Sequence, residues 1–410
     1  MTKISKIILF VFLFSGMNSA FAQTSMSDFL LTAFEDINTR GYDKSINFLS
    51  PKNYRLPVVE DLEFRFGNDE LTLEDQQYAI RFRPGNPWKI RRNNALFNAT
   101  KKELSIRKQI QYQENLENRY ELAADYLLKI QLLNIEQQKF SLIQKRVDIF
   151  NTNMESSLFD AKDFVDAKLD QVDAITNQEE LSVSLLQVKR EISSKLQQSI
   201  IDWSTESLIS VTAIDSVSEI IITNSLSSLE LDLLVQRIKV AKSEVRLEKA
   251  DFDIGYFQTE YYPEKDRDSD YGIAFGISIP IFKSNKSQVA ERKLDEIELN
   301  GELATEQYQD SVKRITEYEY LKSLITQHEV LIERIKELDL ETLSKNLSQI
   351  EDNNPLTILE LQEGLVKLKE LQLKSYERVV EQYIEFLSTF NVLTQLPLTN
   401  YLTESLEPLE

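Results

Sequence analysis

Two groups of carboxylates in this sequence have a spacing that could do chemistry. The first is Asp160, Asp163 and Asp166, at the start of a helical stretch, and it is echoed far along the chain by Glu360. Steps of three and six residues put such side chains near one face of a helix over its first two turns. Acids there either complement the positive end of the helix dipole or form a cluster that attracts cations. The second group is Asp266, Asp268 and Asp270. Alternating aspartates suit a Ca²⁺ loop, but the glycine (Gly272) falls one place late and position twelve is Ile277 instead of Glu. An acidic surface loop is the reading that remains. Little else supports catalysis. The single histidine, His328, lies in a charged helical stretch and reads as solvated. The chain has no cysteine, no Gly-rich phosphate loop and no nucleophile elbow. No enzyme activity and no cofactor or metal are expected.

The elements that would position these acids are legible from punctuation. Lys3 and Lys6, the apolar run Ile7 to Phe14 and Ala20-Phe21-Ala22 read as an export signal cleaved before Gln23. Removing it leaves 45 basic against 67 acidic residues, a net charge of −22. Such a balance excludes nucleic acid as a partner, since phosphate binding needs clustered Lys and Arg. With no further apolar stretch long enough for a transmembrane helix, the chain can meet a bilayer only through strands closed into a barrel.

Proline is absent from Trp88 to Tyr262 and from Ile281 to Asn354, and glycine from Asn86 to Ile254. Long helices separated by two compact non-helical zones follow from that distribution. Apolar residues step by four and three at Leu116, Tyr120, Ala123, Leu127 and Ile130, and again at Tyr376, Val380, Tyr383, Leu387 and Phe390. This is the narrow seam of helices packed as coiled coils. A helix from about Ala95 to Asn151 would be ~85 Å long.

The two other zones alternate with strand period. In Tyr271 to Ile279, Ile273, Phe275 and Ile277 take one face and Gly272, Ala274 and Gly276 the other, as a membrane barrel strand requires. Phe252 to Glu260 is its expected partner. Leu62, Phe64 and Phe66 alternate with Glu63 and Arg65, and Ile80 and Phe82 with Arg81 and Arg83. The second zone repeats the first: Tyr78, Ile80, Phe82 and Pro87 match Tyr271, Ile273, Phe275 and Pro280 at a constant offset. A two-stranded patch on a soluble periplasmic coiled-coil scaffold stays open as the alternative.

Two strand–strand–helix–turn–helix copies behind an export signal, with Pro280-Ile281-Phe282 ending the second apolar strand, resemble the TolC-like outer-membrane efflux family. The resemblance covers most of residues 58–395. It implies a mainly α fold with a small β part. Long helical hairpins would form a periplasmic tunnel, and four strands per subunit would join a homotrimeric twelve-stranded barrel in outer-membrane lipid. The implied function is a passive exit duct of a tripartite efflux or type I secretion system, working with a periplasmic adaptor and an inner-membrane pump. It also implies a periplasmic gate at Asp160, Asp163, Asp166 and Glu360, with adaptor-facing turns at Ser156, Ser157, Asn353, Asn354 and Pro355. The family's turns carry a glycine; these carry none. Ile273, Phe275 and Ile277 would face lipid. The chain then divides into an export signal (1–22), an N-terminal segment (23–57), a first β-hairpin (58–86) and a first long helical hairpin (87–208). A mixed belt (209–226), a helix into the barrel (227–250), a second β-hairpin (251–282), a second helical hairpin (283–395) and a tail (396–410) follow.

Overall fold

The computed structural model describes residues 25–68, 76–155, 159–196, 203, 206–224, 227–263, 270–277, 285–348 and 354–409. The export signal, Ser156, Ser157, Asn353, Asp266, Asp268 and Pro280-Ile281-Phe282 lie outside these residues. The described chain forms two units. One holds Asp36–Tyr112 and Leu226–Lys313; the other holds Met1–Glu35, Gln113–Ser225 and Arg314–Glu410.

The first unit carries the sheet. Helices α2 (Ile37–Phe48) and α3 (Pro51–Tyr54) lead to β1 (Val59–Asn68) and β2 (Gln76–Pro84). Helix α7 (Leu229–Lys249) leads to β3 (Tyr256–Tyr262) and β4 (Asp270–Gly276), and the four strands form one antiparallel sheet in the order β1-β2-β3-β4. The first strand of the second hairpin thus starts later than Phe252 and runs past Glu260 to Tyr262. Gly255 is the reason: at φ +109° its backbone passes so close to Gly276 that a Cβ would lie 1.9 Å from the Gly276 carbonyl oxygen, a conformation and an approach open only to glycine.

Helix α4 (Pro87–Thr152) is 66 residues long, ~100 Å at 1.5 Å per residue. It starts eight residues ahead of Ala95, because Asn86 caps it. The Asn86 Oδ1 accepts from the backbone N–H groups of Trp88 (2.9 Å) and Lys89 (3.2 Å), while Nδ2 donates to the carbonyls of Ala250 (2.8 Å) and Phe252 (2.9 Å). One buried side chain therefore starts α4 and satisfies carbonyls just past the end of α7. Pro87 suits the first helical position, where its missing N–H has no partner to lose.

The second unit is helical. Its core lies around α1 (Met26–Leu31) and the short 3₁₀ turn Thr32–Glu35, where Phe29, Leu30 and Ala33 are fully buried. Burying such side chains contributes ~1.5–3 kcal/mol for each large one. Trp203 packs between Phe29 and Tyr126, each 5.5 Å away between ring centroids. Arg119, also buried, is fully engaged: Nε donates to Thr32 Oγ1 (2.9 Å) and Nη1 to the Asn115 carbonyl (3.2 Å). The belt 209–224 folds as helix α6 (Val211–Thr223), with Ser210 as its cap and Ile214, Val217 and Ile221 buried at helical spacing. The last residues are part of this core. Tyr120 donates to the Thr399 carbonyl at 2.8 Å, Ile209 N–H donates to the Leu402 carbonyl at 2.8 Å, and Leu402 is fully buried.

Helix α5 (Ala161–Leu196) returns from α4. Helix α8 (Lys286–Leu338) gives way to α9 (Leu340–Ser348) at Asp339, whose φ of +42° breaks the helix, and α10 (Pro355–Thr389) completes the set. Among the described residues no helix is long and apolar enough to cross a membrane.

Candidate functional site

The sheet has two chemically distinct faces, fixed by its register. Phe64 stands opposite Ile80, Ile80 opposite Thr259 and Thr259 opposite Ile273. One step toward the helices the row is Leu62, Phe82, Phe257 and Phe275. One step the other way it is wholly aromatic: Phe66, Tyr78, Tyr261 and Tyr271, with successive ring centroids 5.5, 6.5 and 5.2 Å apart. This apolar face is open. Phe64 is 76% exposed, Ile273 70% and Phe275 74%, and Ile277 just beyond β4 is 76% exposed. Contiguous exposed apolar surface of this kind marks an interaction with lipid or protein.

The opposite face is polar, and its side chains are joined. Arg65 and Arg83 pair with Glu63 at 2.7 and 2.9 Å. The Arg81 Nε donates to Gln258 at 2.6 Å, and its guanidinium lies 4.0 Å from the centroid of the Tyr256 ring. These contacts were beyond the reach of alternation alone, which separates the faces without pairing the strands.

Of the acids singled out in the sequence, Asp270 opens β4 in the sheet unit; Asp160, Asp163, Asp166 and Glu360 belong to the helical unit, and they do not share one role. Asp160 is the cap of α5: its carboxylate accepts from Lys162 N–H at 2.7 Å. Asn354 caps α10 in the same way, accepting from Leu356 N–H at 3.0 Å, with Pro355 in the first turn. Asp163, Asp166 and Glu360 are exposed. The carboxylates that bind across helices here are different ones. Arg146 near the end of α4 pairs with Asp170 of α5 and, at 3.1 Å, with Glu363 of α10. Burial pushes the Glu363 carboxyl above the usual carboxylate range, against the pull of Arg146. Beside this fork Val147, Phe150 and Ala167 are buried, with Phe159, Phe164 and Leu356 packed against them. The tip of the first hairpin is thereby fastened to the start of α10. Asp170 lies one turn beyond Asp166 and Glu363 one turn beyond Glu360, so only three-dimensional packing tells which acid of each pair meets Arg146.

Two further features of this unit were not visible in sequence. Acidic side chains, among them Glu117, Glu121, Asp125, Glu377 and Glu381, line a cavity of about 720 Å³. Burial, reinforced by Glu381, raises the Glu377 pKa. His328 is not the solvated histidine its neighbours suggest: it is 8% exposed, with Nδ1 3.1 Å from Ser375 Oγ, and burial lowers its pKa. Among the described residues no group of three or more His, Cys, Asp or Glu is placed to hold a metal ion.

No family model matches the chain, and no curated protein matches it in sequence. Its fold does match solved structures. The outer-membrane channel OprN is similar over 89% of this chain and 89% of that one, with a TM-score of 0.67 at 9% identity. The open-state MtrE outer-membrane channel of Neisseria gonorrhoeae is similar over 93% of this chain and 90% of that one, with a TM-score of 0.63 at 10% identity. VceC, an outer-membrane protein of Vibrio cholerae, is similar over 89% and 96%, with a TM-score of 0.62 at 12% identity. The chain therefore has the fold of outer-membrane channel proteins. It is the TolC-like fold expected from the sequence, long helices with a small four-stranded part.

Proposed function

We propose that three copies of this chain form a passive exit duct across the outer membrane. In that assembly the sheets close into a twelve-stranded barrel and the helices form the periplasmic conduit. The observation that carries this reading is the sheet itself, apolar on one face across all four strands and polar on the other. Lipid against the first face and water against the second satisfy both. The aromatic row Phe66, Tyr78, Tyr261 and Tyr271 suits the membrane interface, where such rings gather. Among the described residues of one chain, the outer edges of β1 and β4 have no neighbour in the sheet. Backbone groups at an edge cannot go unpaired in hydrocarbon, so β4 of one copy pairs with β1 of the next.

The helices support the same assembly. On α5, Val165, Leu169, Val172, Val183 and Leu186 are exposed in coiled-coil spacing, and on α8 so are Leu294, Ile297, Tyr308, Val312 and Ile315. Two different apolar stripes favour a heterologous contact, which closes into a ring. An inner-membrane pump and a periplasmic adaptor would supply the energy and the link. The adaptor would approach the turns at Ser156, Ser157, Asn353, Asn354 and Pro355. Exposed Asp163, Asp166 and Glu360 would each form a threefold ring at the periplasmic gate, while Asp160 is occupied as a cap. The test is fractionation followed by planar-bilayer recording. The duct sediments with outer membranes, resists high-salt extraction, cross-links as a trimer and gives single-channel steps. Release by salt as a dimer or monomer would return the chain to the scaffold reading.

A further inference from the structure

The polar face of the sheet carries its charges in an order that the duct alone does not require. Counting outward from the helix end, Asp61 stands opposite Arg83, and at the next level Glu63 stands opposite Arg81. At the third level Arg65 and Glu260 are both partners of Ala79. Each of these levels holds one cation and one anion; Asp270 stands beyond them, at the far rim. The charges are held along the wall. Glu63 binds Arg65 and Arg83, Arg83 also lies 3.9 Å from Asp61, and Gln258 links Arg81 (2.6 Å) to Glu260 (2.5 Å). Tyr256 lies flat between the Arg81 guanidinium and β4, over Gly276, where a Cβ would come within 2.5 Å of the ring. Among the described residues Arg81 is the one arginine of this face with no carboxylate within ion-pair distance, so its charge is balanced across the wall and not by direct contact.

Successive levels on a strand are two residues, ~6.7 Å, apart. That is shorter than the ~10 Å Debye length at 0.1 M salt, so a solute in the bore feels neighbouring levels as a sum. We infer that Arg65, Arg81 and Arg83 set the charge specificity of the barrel by each cancelling one inward carboxylate. The barrel wall then favours neither anionic nor cationic solutes, and any charge preference of the duct arises elsewhere. This rests on the barrel reading, with the polar face inward.

The test is the reversal potential of single channels in a KCl gradient at low salt, for the parent, Arg81→Gln, Glu63→Gln and the double variant. Losing Arg81 leaves a ring of three uncancelled carboxylates. The K⁺/Cl⁻ permeability ratio should rise about fourfold or more, since even one unit charge ~10 Å from the ion in water favours K⁺ about twofold and disfavours Cl⁻ by the same factor. Glu63→Gln should shift the ratio the other way, and the double variant should return to the parent value. Arg65→Gln gives the Arg81→Gln shift independently should that variant fail to assemble, and Arg81→Lys should keep the parent potential. Conducting single variants at the parent potential, or a double variant that does not return to it, overturn the inference while leaving the duct intact. A parent that gives no channels removes the duct and the inference together.

Discussion

An arginine placed at Ile273 tests the membrane assignment through its dependence on depth. Ile273 stands in the middle row of the sheet with Phe64, Ile80 and Thr259, and its side chain is 70% exposed on a single chain. The ten residues of β1 match the ~9–11 that a tilted strand needs to cross the hydrocarbon core, which puts this row near the bilayer midplane. Arginine on the lipid face costs ~2–4 kcal/mol there and ~0–1 kcal/mol near the interface. Ile273→Arg therefore carries ~2–4 kcal/mol per chain, and three times that in a trimer, whereas Tyr271→Arg, one row (~6.7 Å along the strand) nearer the interface, carries less. At 1.4 kcal/mol per factor of ten, even one chain's share lowers the assembled fraction by more than tenfold under limiting conditions. The assay is the heat-resistant trimer in the outer-membrane fraction, quantified for both variants and for Gln77→Arg on the polar face. The expected order is the greatest loss for Ile273→Arg, a smaller loss for Tyr271→Arg and near-parent amounts for Gln77→Arg. Equal amounts for all three would refute both the facing and the depth.

Other consequences follow from the helical unit. Asp166→Asn with Glu360→Gln should remove cation preference and divalent block from single channels while trimers still form; unchanged block would leave these acids as solvated helix-start residues. Arg146→Gln strips the half-buried Glu363 of its partner and should cost ~3–5 kcal/mol if the pair behaves as buried, less to the extent that water reaches it; faster protease cleavage near 150–160 is the readout, and a parent-like rate contradicts the clamp. Glu363 and Glu377 have folded pKa values raised above 4.5, so the folded state holds more protons than the unfolded one, and their contribution to stability grows as pH falls from neutral toward 4.5. Glu377→Gln should flatten that rise in Tm and gain at most ~1 kcal/mol at neutral pH; an unchanged slope would assign it elsewhere.

The fold was largely legible because long stretches lack proline and most glycines gather around the strands, and because Tyr271 to Ile277 alternates so regularly. The helix start at Asn86-Pro87 was also written in the sequence, as a cap followed by proline, where the first helical hairpin (87–208) was expected to begin. What could not be read was determined by packing. The belt's β-branched residues suggest strand, yet Ile214, Val217 and Ile221 bury as one helical stripe against the core. The chain's last residues look like a tail until Tyr120 and Ile209 are seen to bind their backbone. Arg119, His328 and Glu363 sit in polar surroundings along the sequence, and only the fold carries them inward. For the acids, spacing placed side chains on a helix but could not separate caps from solvated residues or partners of Arg146.

The central claim is that the apolar face of the sheet meets lipid and the polar face lines water. Because the chain has no cysteine, single cysteines can be introduced one at a time and probed in intact outer membranes with a membrane-impermeant maleimide. Ala274→Cys, Gln77→Cys and Ala79→Cys should label, while Ile273→Cys, Phe275→Cys and Ile80→Cys should stay unlabelled until the membrane is dissolved. Labelling that ignores the alternation, or follows it in the opposite phase, would contradict the account.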